Sequence, residues 1–158
     1  MLLLKDKLRR HAIKCLTRRE YSRFELWQKL KRIASDEETL IAEILDDLQQ
    51  QKWQSDRRYA EMHVNARLQQ GYGPLRIEQE LTIKQVDSDI IQAALDEHEA
   101  FAETWLKRCW QKKFQQQLPL TAEIKQKQLR FLLYRGFSSE SAQRWLRKQQ
   151  MGVIDEMD

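Results

Sequence analysis

Three histidines, two cysteines and several neighbouring carboxylates are the residues of this chain that could carry catalysis or bind a metal. The histidines lie far apart and form no H-x₃-H or H-E-x-x-H pattern. Cys15 and Cys109 have no partner at the spacing of a zinc site or a disulfide framework. Paired carboxylates such as Asp46 and Asp47 are typical of a solvated helix face. The sequence therefore predicts no catalytic residue, no metal, no cofactor and no enzymatic activity.

Basic residues are segregated along the chain. The net charge is +8 over residues 1–35, −9 over 36–99 and +8 over 100–150, within a total of +4. Two basic ends favour contact with a polyanion or with a partner of complementary charge, although solvated helix faces have the same pattern. Phosphates and acidic protein surfaces suit such patches equally well, so both stay open. The candidate binding residues are Arg18, Arg19, Arg23, Arg67, Arg76, Arg130, Arg135, Arg144, Arg147 and Lys148.

The aromatic residues have two interpretations. Five tryptophans could stack on nucleic-acid bases. In a helical protein, however, Phe101, Trp105 and Cys109 at positions i, i+4 and i+8 favour a core stripe, because large aromatic side chains dominate burial.

Helix start and stop signals indicate where these side chains are positioned. Ser22 with Glu25, and Ser35 with Glu38, match capping boxes. Gly71 suits the left-handed position after a helix, and Pro74 suits the first position of the next. Further helices are predicted from Ser55-Asp56, over 87–96 and 99–116, from Thr121 to Gly136, and from Ser138 to about residue 148. The few Gly and Pro, four and two, agree with helices joined by short turns.

Three helix junctions resemble one another. Each has a helix ending near a Leu, a tight turn, an aromatic residue (Tyr21, Tyr72 or Phe137), and then apolar positions four and eight residues after the next helix start. Small units of this kind bury too little surface alone and stack in series. We predict an all-α fold of three tandem three-helix, helix-turn-helix-like repeats in an elongated, possibly curved array. The predicted repeats are 1–52, 53–98 and 99–150, followed by an acidic tail over 151–158.

The segment from Gly71 to Leu81 resembles the G-Y-G-P-x-R-I-x-x-E-L signature of the RecX family of bacterial regulators of the RecA recombinase. Three other motifs follow the family's order: an R-x-[HY]-S-x-x-E-L-x-x-K-L opening at 19–30, a D-x-x-[FY]-A motif at 56–60 and an F-L-x-x-R-G-[FY] motif at 131–137. One departure is that residues 82–86 lack the glycine that the family usually has in this turn. The signature residues are Gly71, Tyr72, Gly73, Pro74, Ile77, Glu80 and Leu81, with Gly136 in the closing motif.

The resemblance implies a regulator that binds RecA and its nucleoprotein filament. It also implies modulation, usually inhibition, of the RecA ATPase, strand-exchange and coprotease activities. DNA binding is expected to be weak. It is also expected to lack sequence specificity, because Pro74-Leu75-Arg76-Ile77 has few side chains that could hydrogen-bond to base edges. No signal segment or membrane span is apparent and the cysteines have no disulfide partner, so a cytoplasmic location is expected. The protein is also expected to be a monomer. The alternative is a general, non-sequence-specific nucleic-acid-binding helical protein.

Overall fold

The computed structural model describes the backbone of residues 2–157 and the side chains of residues 2–152. Over that part of the chain there is no β-strand, so the predicted all-α fold is confirmed. The α-helices are α1 (Leu2–Arg18), α2 (Arg23–Ile33), α3 (Glu38–Gln50), α4 (Asp56–Gln69), α5 (Pro74–Ile83), α6 (Ser88–Asp96), α7 (Ala102–Phe114), α8 (Ala122–Arg135) and α9 (Ser139–Met157).

The chain forms two compact units. Unit 1 comprises Met1–Met62 with Leu81–Gln92, and unit 2 comprises His63–Glu80 with Ala93–Asp158. The repeat boundaries after residues 52, 98 and 150 stay a prediction.

In unit 1, helices α1, α2 and α3 pack against one another around a core of leucine and isoleucine side chains. The capping box at Ser22 is confirmed. Its hydroxyl accepts from the backbone N–H of Glu25 at 3.1 Å, and the Glu25 carboxylate accepts from the N–H of Ser22 at 3.1 Å. The predicted box at Ser35 is wrong. There the N–H of Glu37 closes a turn onto the carbonyl of Ala34, so α3 begins later, without a side-chain cap.

In unit 2, helices α7, α8 and α9 enclose a second core. Its buried polar side chain, Gln128, accepts from the indole N–H of Trp110 at 2.8 Å and donates to the carbonyl of Gln117 at 2.8 Å, so both ends of this buried amide are hydrogen-bonded. Phe101 was predicted to be in the core but is 60% exposed. A 3₁₀ turn over Glu99–Phe101 precedes α7, and it changes the direction in which Phe101 points.

The last helix is longer than predicted. Helix α9 continues to Met157, through the segment expected to form an acidic tail. The side chains of that tail's acidic residues lie outside the described residues.

The turn after the signature segment closes without a glycine. Gln85 adopts a left-handed conformation, with a φ of 56°, and the N–H of Val86 donates to the carbonyl of Leu81 at 3.2 Å. Residues other than glycine are strained in this conformation. The absence of a glycine therefore raises the conformational free energy of the turn without changing its geometry.

Replacing Gln85 by glycine is expected to raise the free energy of unfolding by about 1 kcal/mol, because glycine adopts a positive φ without strain. Chemical denaturation measures this gain. Gln85→Ala is the matched control, because alanine shortens the side chain but keeps the Cβ that causes the strain. An equal gain in both variants would contradict the explanation.

Candidate functional site

Two turns of unit 2 are joined through their backbones. The N–H of Gly73 donates to the carbonyl of Arg135 at 2.7 Å, and the N–H of Leu75 donates to the carbonyl of Gly136 at 2.9 Å. Pro74, which has no N–H, lies between these two donors. The turn that precedes α5 is thereby fixed to the turn that follows α8.

Glycine is required at different positions of these turns for different physical reasons. Gly71 and Gly136 have φ values of 90° and 103°, the left-handed region predicted for Gly71. Gly73 has no positive φ, but a Cβ there would lie 2.5 Å from the backbone of Gly136 and Phe137. A Cβ on Gly136 would lie 2.5 Å from the Cβ of Arg76. Close approach of two backbones therefore requires the glycine at 73. Farther along the signature segment, Ile77 and Leu81 are fully buried.

This approach gathers three arginines around the ring of Tyr72. The guanidinium carbons of Arg67, Arg76 and Arg135 lie 3.7, 4.3 and 4.8 Å from the ring centroid. Cations over an aromatic face are attracted by its quadrupole, which here offsets part of their mutual repulsion. The three arginines belong to three separate helices, α4, α5 and α8, and all three were predicted as binding residues.

The arrangement continues onto helix α8. Arg135 also lies 5.2 Å from the centroid of the Phe131 ring, and the amine of Lys113 lies 5.6 Å from the same centroid. Arg76 lies 5.6 Å from the ring of Tyr134, which is 74% exposed. We call these residues the cation–aromatic cluster: Arg67, Tyr72, Arg76, Lys113, Phe131, Tyr134 and Arg135.

One carboxylate, Glu80, partly neutralises the cluster. It accepts from Arg67 at 3.0 Å (Nε) and 2.8 Å (Nη2), and lies 3.1 Å from His63. Burial alone would raise the pKa of Glu80, but the hydrogen bonds from Arg67 and His63 outweigh it and the pKa is lowered. Arg76 is farther from this carboxylate, with its Nε 3.9 Å from Glu80, at the limit of an ion pair.

Two of the cations have no strong partner. Among the described residues, no carboxylate lies within ion-pairing distance of Arg135 or Lys113. The charge of Arg135 also affects the thiol of Cys109. Burial raises the pKa of that thiol, and the charges of Arg135 and Lys112 offset part of the increase. Among the described side chains, four cations face one carboxylate, so the cluster presents a surplus of positive charge.

Helix ends explain part of this placement. Arg67 and Arg135 lie in the last turns of α4 and α8, where the helix dipole favours a cation. Arg76 lies in the first turn of α5, where the dipole disfavours it. Its contacts with two tyrosine rings and its proximity to Glu80 compensate for that position.

The other predicted binding residues fall into two groups. Four are held in ion pairs within the chain: Arg19 with Glu25, Arg23 with Asp46, Arg144 with Glu140, and Lys148 with Glu103. Three are exposed and have no ion pair with a described residue: Arg18, Arg130 and Arg147. The structure thus separates cations that stabilise the chain from cations open to a partner.

The aromatic members Phe131 and Tyr134 were not predicted from the sequence to be part of a site. Both belong to the F-L-L-Y-R-G-F segment, in which Arg135 was predicted as a binding candidate and Gly136 and Phe137 as turn residues. The sequence signal that could have identified them is their position four residues and one residue before Arg135 on the same helix. The tryptophans considered for base stacking are absent from the cluster, and Trp110 and Trp145 lie in the core of unit 2.

Other kinds of site find no support in the described part of the chain. No three side chains of His, Cys, Asp or Glu come together there as a metal ion would require. None of the helices described is long and apolar enough to cross a membrane.

Repeated short helices joined by glycine–aromatic turns, with arginines gathered at one turn, define a helical-repeat protein whose distinctive chemistry is a cationic surface. The chain belongs to the RecX family. The family's second three-helix domain matches residues 55–95 and its third matches residues 104–146.

Named relatives agree with this membership. The chain is 42% identical to the regulatory protein RecX of Legionella pneumophila (strain Corby) over 82% of this chain and 85% of that protein. It is 41% identical to that of Acinetobacter baylyi over 85% of this chain and 82% of the relative. The crystal structure of RecX from Lactobacillus salivarius has the same fold, with a TM-score of 0.79 and 20% identity over 96% of this chain and 99% of that one.

Gly73→Ala is expected to lower the free energy of unfolding by about 2 kcal/mol, because its methyl group would overlap backbone atoms that cannot move independently. Thermal and chemical denaturation measure the loss. Gly152→Ala, in α9, is the matched control because a Cβ there meets nothing within 4 Å. Wild-type stability in Gly73→Ala would refute the close-approach explanation.

Glu80→Gln is expected to cost about 1 kcal/mol of stability at neutral pH, because charge-assisted hydrogen bonds to Arg67 and His63 are weakened. The folded-state pKa of Glu80 is lowered from 4.5, so its contribution is present above that value and disappears as the pH falls through the folded pKa. Urea denaturation across the acidic range should show wild type and variant converging at low pH. Glu43→Gln, an exposed carboxylate of α3 without a described ion pair, is the control and should show no such convergence.

Proposed function

We propose that this chain is a regulatory protein that binds the RecA recombinase and the RecA–DNA filament and lowers the ATPase, strand-exchange and coprotease activities of RecA. Family membership over most of the chain carries the proposal, since the relatives are named regulatory proteins RecX. We further propose that it acts in the cytoplasm as a monomer and without enzymatic activity of its own.

The distribution of cations supports a binding mechanism. A RecA filament presents both DNA phosphates and protein surface, and exposed cations can contact either without sequence readout. Arg18, Arg76, Arg130, Arg135 and Arg147 are the predicted binding residues that lack a strong ion pair with a described residue. Contact with neighbouring RecA subunits would then alter their nucleotide cycle or block filament growth.

On this proposal, the cations that are held in ion pairs within the chain contribute less to the affinity for RecA or DNA. Arg144 and Lys148 would have to exchange Glu140 and Glu103 for a partner. Exposed ion pairs are weak, at about 0–1 kcal/mol, so this exchange is possible but yields little net affinity. Paired and unpaired arginines thus provide matched variants for a test.

The test follows the DNA-dependent ATPase of RecA at fixed single-stranded DNA while the protein is added well below one copy per RecA. We expect the ATPase rate to fall. The double variant Arg130→Gln/Arg147→Gln should require a several-fold higher concentration, because each substitution removes a cation available for phosphate or carboxylate contact. Arg144→Gln/Lys148→Gln removes the same charge and should remain close to wild type.

Two outcomes contradict the proposal in different ways. An unchanged ATPase rate together with tight binding to bare DNA would favour the general nucleic-acid-binding alternative. An unchanged rate without DNA binding would indicate a scaffold for an unrelated acidic partner.

A further inference from the structure

We propose that the cation–aromatic cluster of unit 2 is a binding site for single-stranded nucleic acid, in which Arg76 and Arg135 hold backbone phosphate and Tyr134 stacks on an unpaired base. This inference deepens the DNA-contacting part of the proposed function by assigning it a site and a strand type. It does not depend on RecA binding, and it is tested without RecA.

Charge imbalance is the first observation behind the site. Arg76 and Arg135 share the ring of Tyr72 with Arg67, and only Arg67 is held firmly by Glu80. Two guanidinium groups are therefore held close together, while no carboxylate among the described side chains lies at hydrogen-bonding distance from their N–H edges. An anion that accepts from both groups would relieve their repulsion. A phosphate suits this role because guanidinium donors match its oxygens in bidentate geometry.

The exposed ring of Tyr134 is the second observation. It is 74% exposed, although it lies 5.6 Å from the guanidinium carbon of Arg76. Burial does not account for an aromatic side chain at this position, because the core of unit 2 takes its aromatic side chains from α7, α9 and other positions of α8. A ring next to phosphate-binding cations is the arrangement that single-strand-binding surfaces use to stack successive bases.

The order of the groups is the third observation. From Tyr72 the cations and rings alternate through Arg135 and Phe131 to Lys113. A surface that recognised acidic side chains would need the cations but not an exposed aromatic ring among them. A duplex would offer phosphates but keep its bases stacked, so Tyr134 would have no base face to contact. The combination therefore favours an unpaired strand.

Fluorescence anisotropy tests the site with a labelled oligothymidylate and a labelled duplex of the same length. Tyr134→Ala should weaken oligothymidylate binding roughly tenfold, as loss of one stacked base does, while leaving duplex binding within twofold of wild type. Tyr134→Phe retains the ring and should bind as wild type. Because Tyr134 is largely exposed, its removal is expected to leave the melting temperature unchanged, which circular dichroism checks.

A charge-matched pair tests the cations. Arg135→Gln should weaken oligothymidylate binding at least fivefold and reduce the slope of log affinity against log salt by about 0.7, the value for one phosphate contact with a single strand. Lys127→Gln removes the same charge from an exposed position of the same helix, where no ion pair or ring contact is described, and should change affinity less than twofold.

Three results would overturn the assignment. The first is wild-type oligothymidylate affinity in Tyr134→Ala, and the second is an equal loss in Arg135→Gln and Lys127→Gln, which would indicate general electrostatics. The third is tighter binding of labelled polyglutamate than of oligothymidylate, with Arg135→Gln abolishing it, which would identify an acidic-protein surface instead. Because RecA is absent, none of these results changes the outcome of the ATPase experiment.

Discussion

The close approach of Gly73 to Gly136 is the constraint on which the functional surface of unit 2 depends. Two backbone hydrogen bonds, from Gly73 to Arg135 and from Leu75 to Gly136, join the turns. A Cβ on either glycine would overlap its neighbour at 2.5 Å. Backbone contact at this distance fixes two helix ends more narrowly than side-chain packing does, because side chains can adopt other rotamers. The positions of Arg76 and Arg135 follow from this contact.

Bringing these helix ends together places like charges next to one another. Arg67, Arg76 and Arg135 would repel one another in a low-dielectric environment. The ring of Tyr72 and the carboxylate of Glu80 offset that repulsion in different ways. Glu80 binds Arg67 through two nitrogens and leaves Arg76 at 3.9 Å. The chain thus stabilises one arginine fully and the other two only partly, so a charge surplus remains at the surface.

Sequence periodicity and turn chemistry were sufficient for the helices but not for the cluster. Gly71, Pro74 and the capping box at Ser22 act through neighbours within a few residues, so their effects could be predicted from the sequence. The cluster depends on a contact between residues 73 and 136, which no local pattern reveals. Arg76 and Arg135 were identified as basic candidates, but what distinguishes them from Arg144 or Lys148 is the absence of a firm partner among the described residues, a property of the tertiary structure. For the same reason Tyr134 was overlooked and Phe101 was wrongly assigned to the core.

Unit 1 contains a related arrangement that shows what the cluster in unit 2 adds. Arg19 lies 3.6 Å from the centroid of the Tyr21 ring and pairs with Glu25 at 3.1 Å, much as Arg67 lies over Tyr72 and pairs with Glu80. Tyr21, however, is only 9% exposed, and the second cation over its ring is the amine of Lys29, at the longer distance of 5.6 Å. An arginine on a tyrosine with one carboxylate is therefore sufficient to stabilise a helix junction. Arg76, Arg135 and the exposed ring of Tyr134 exceed that structural requirement, and this excess is the physical reason for assigning a binding role to the junction in unit 2.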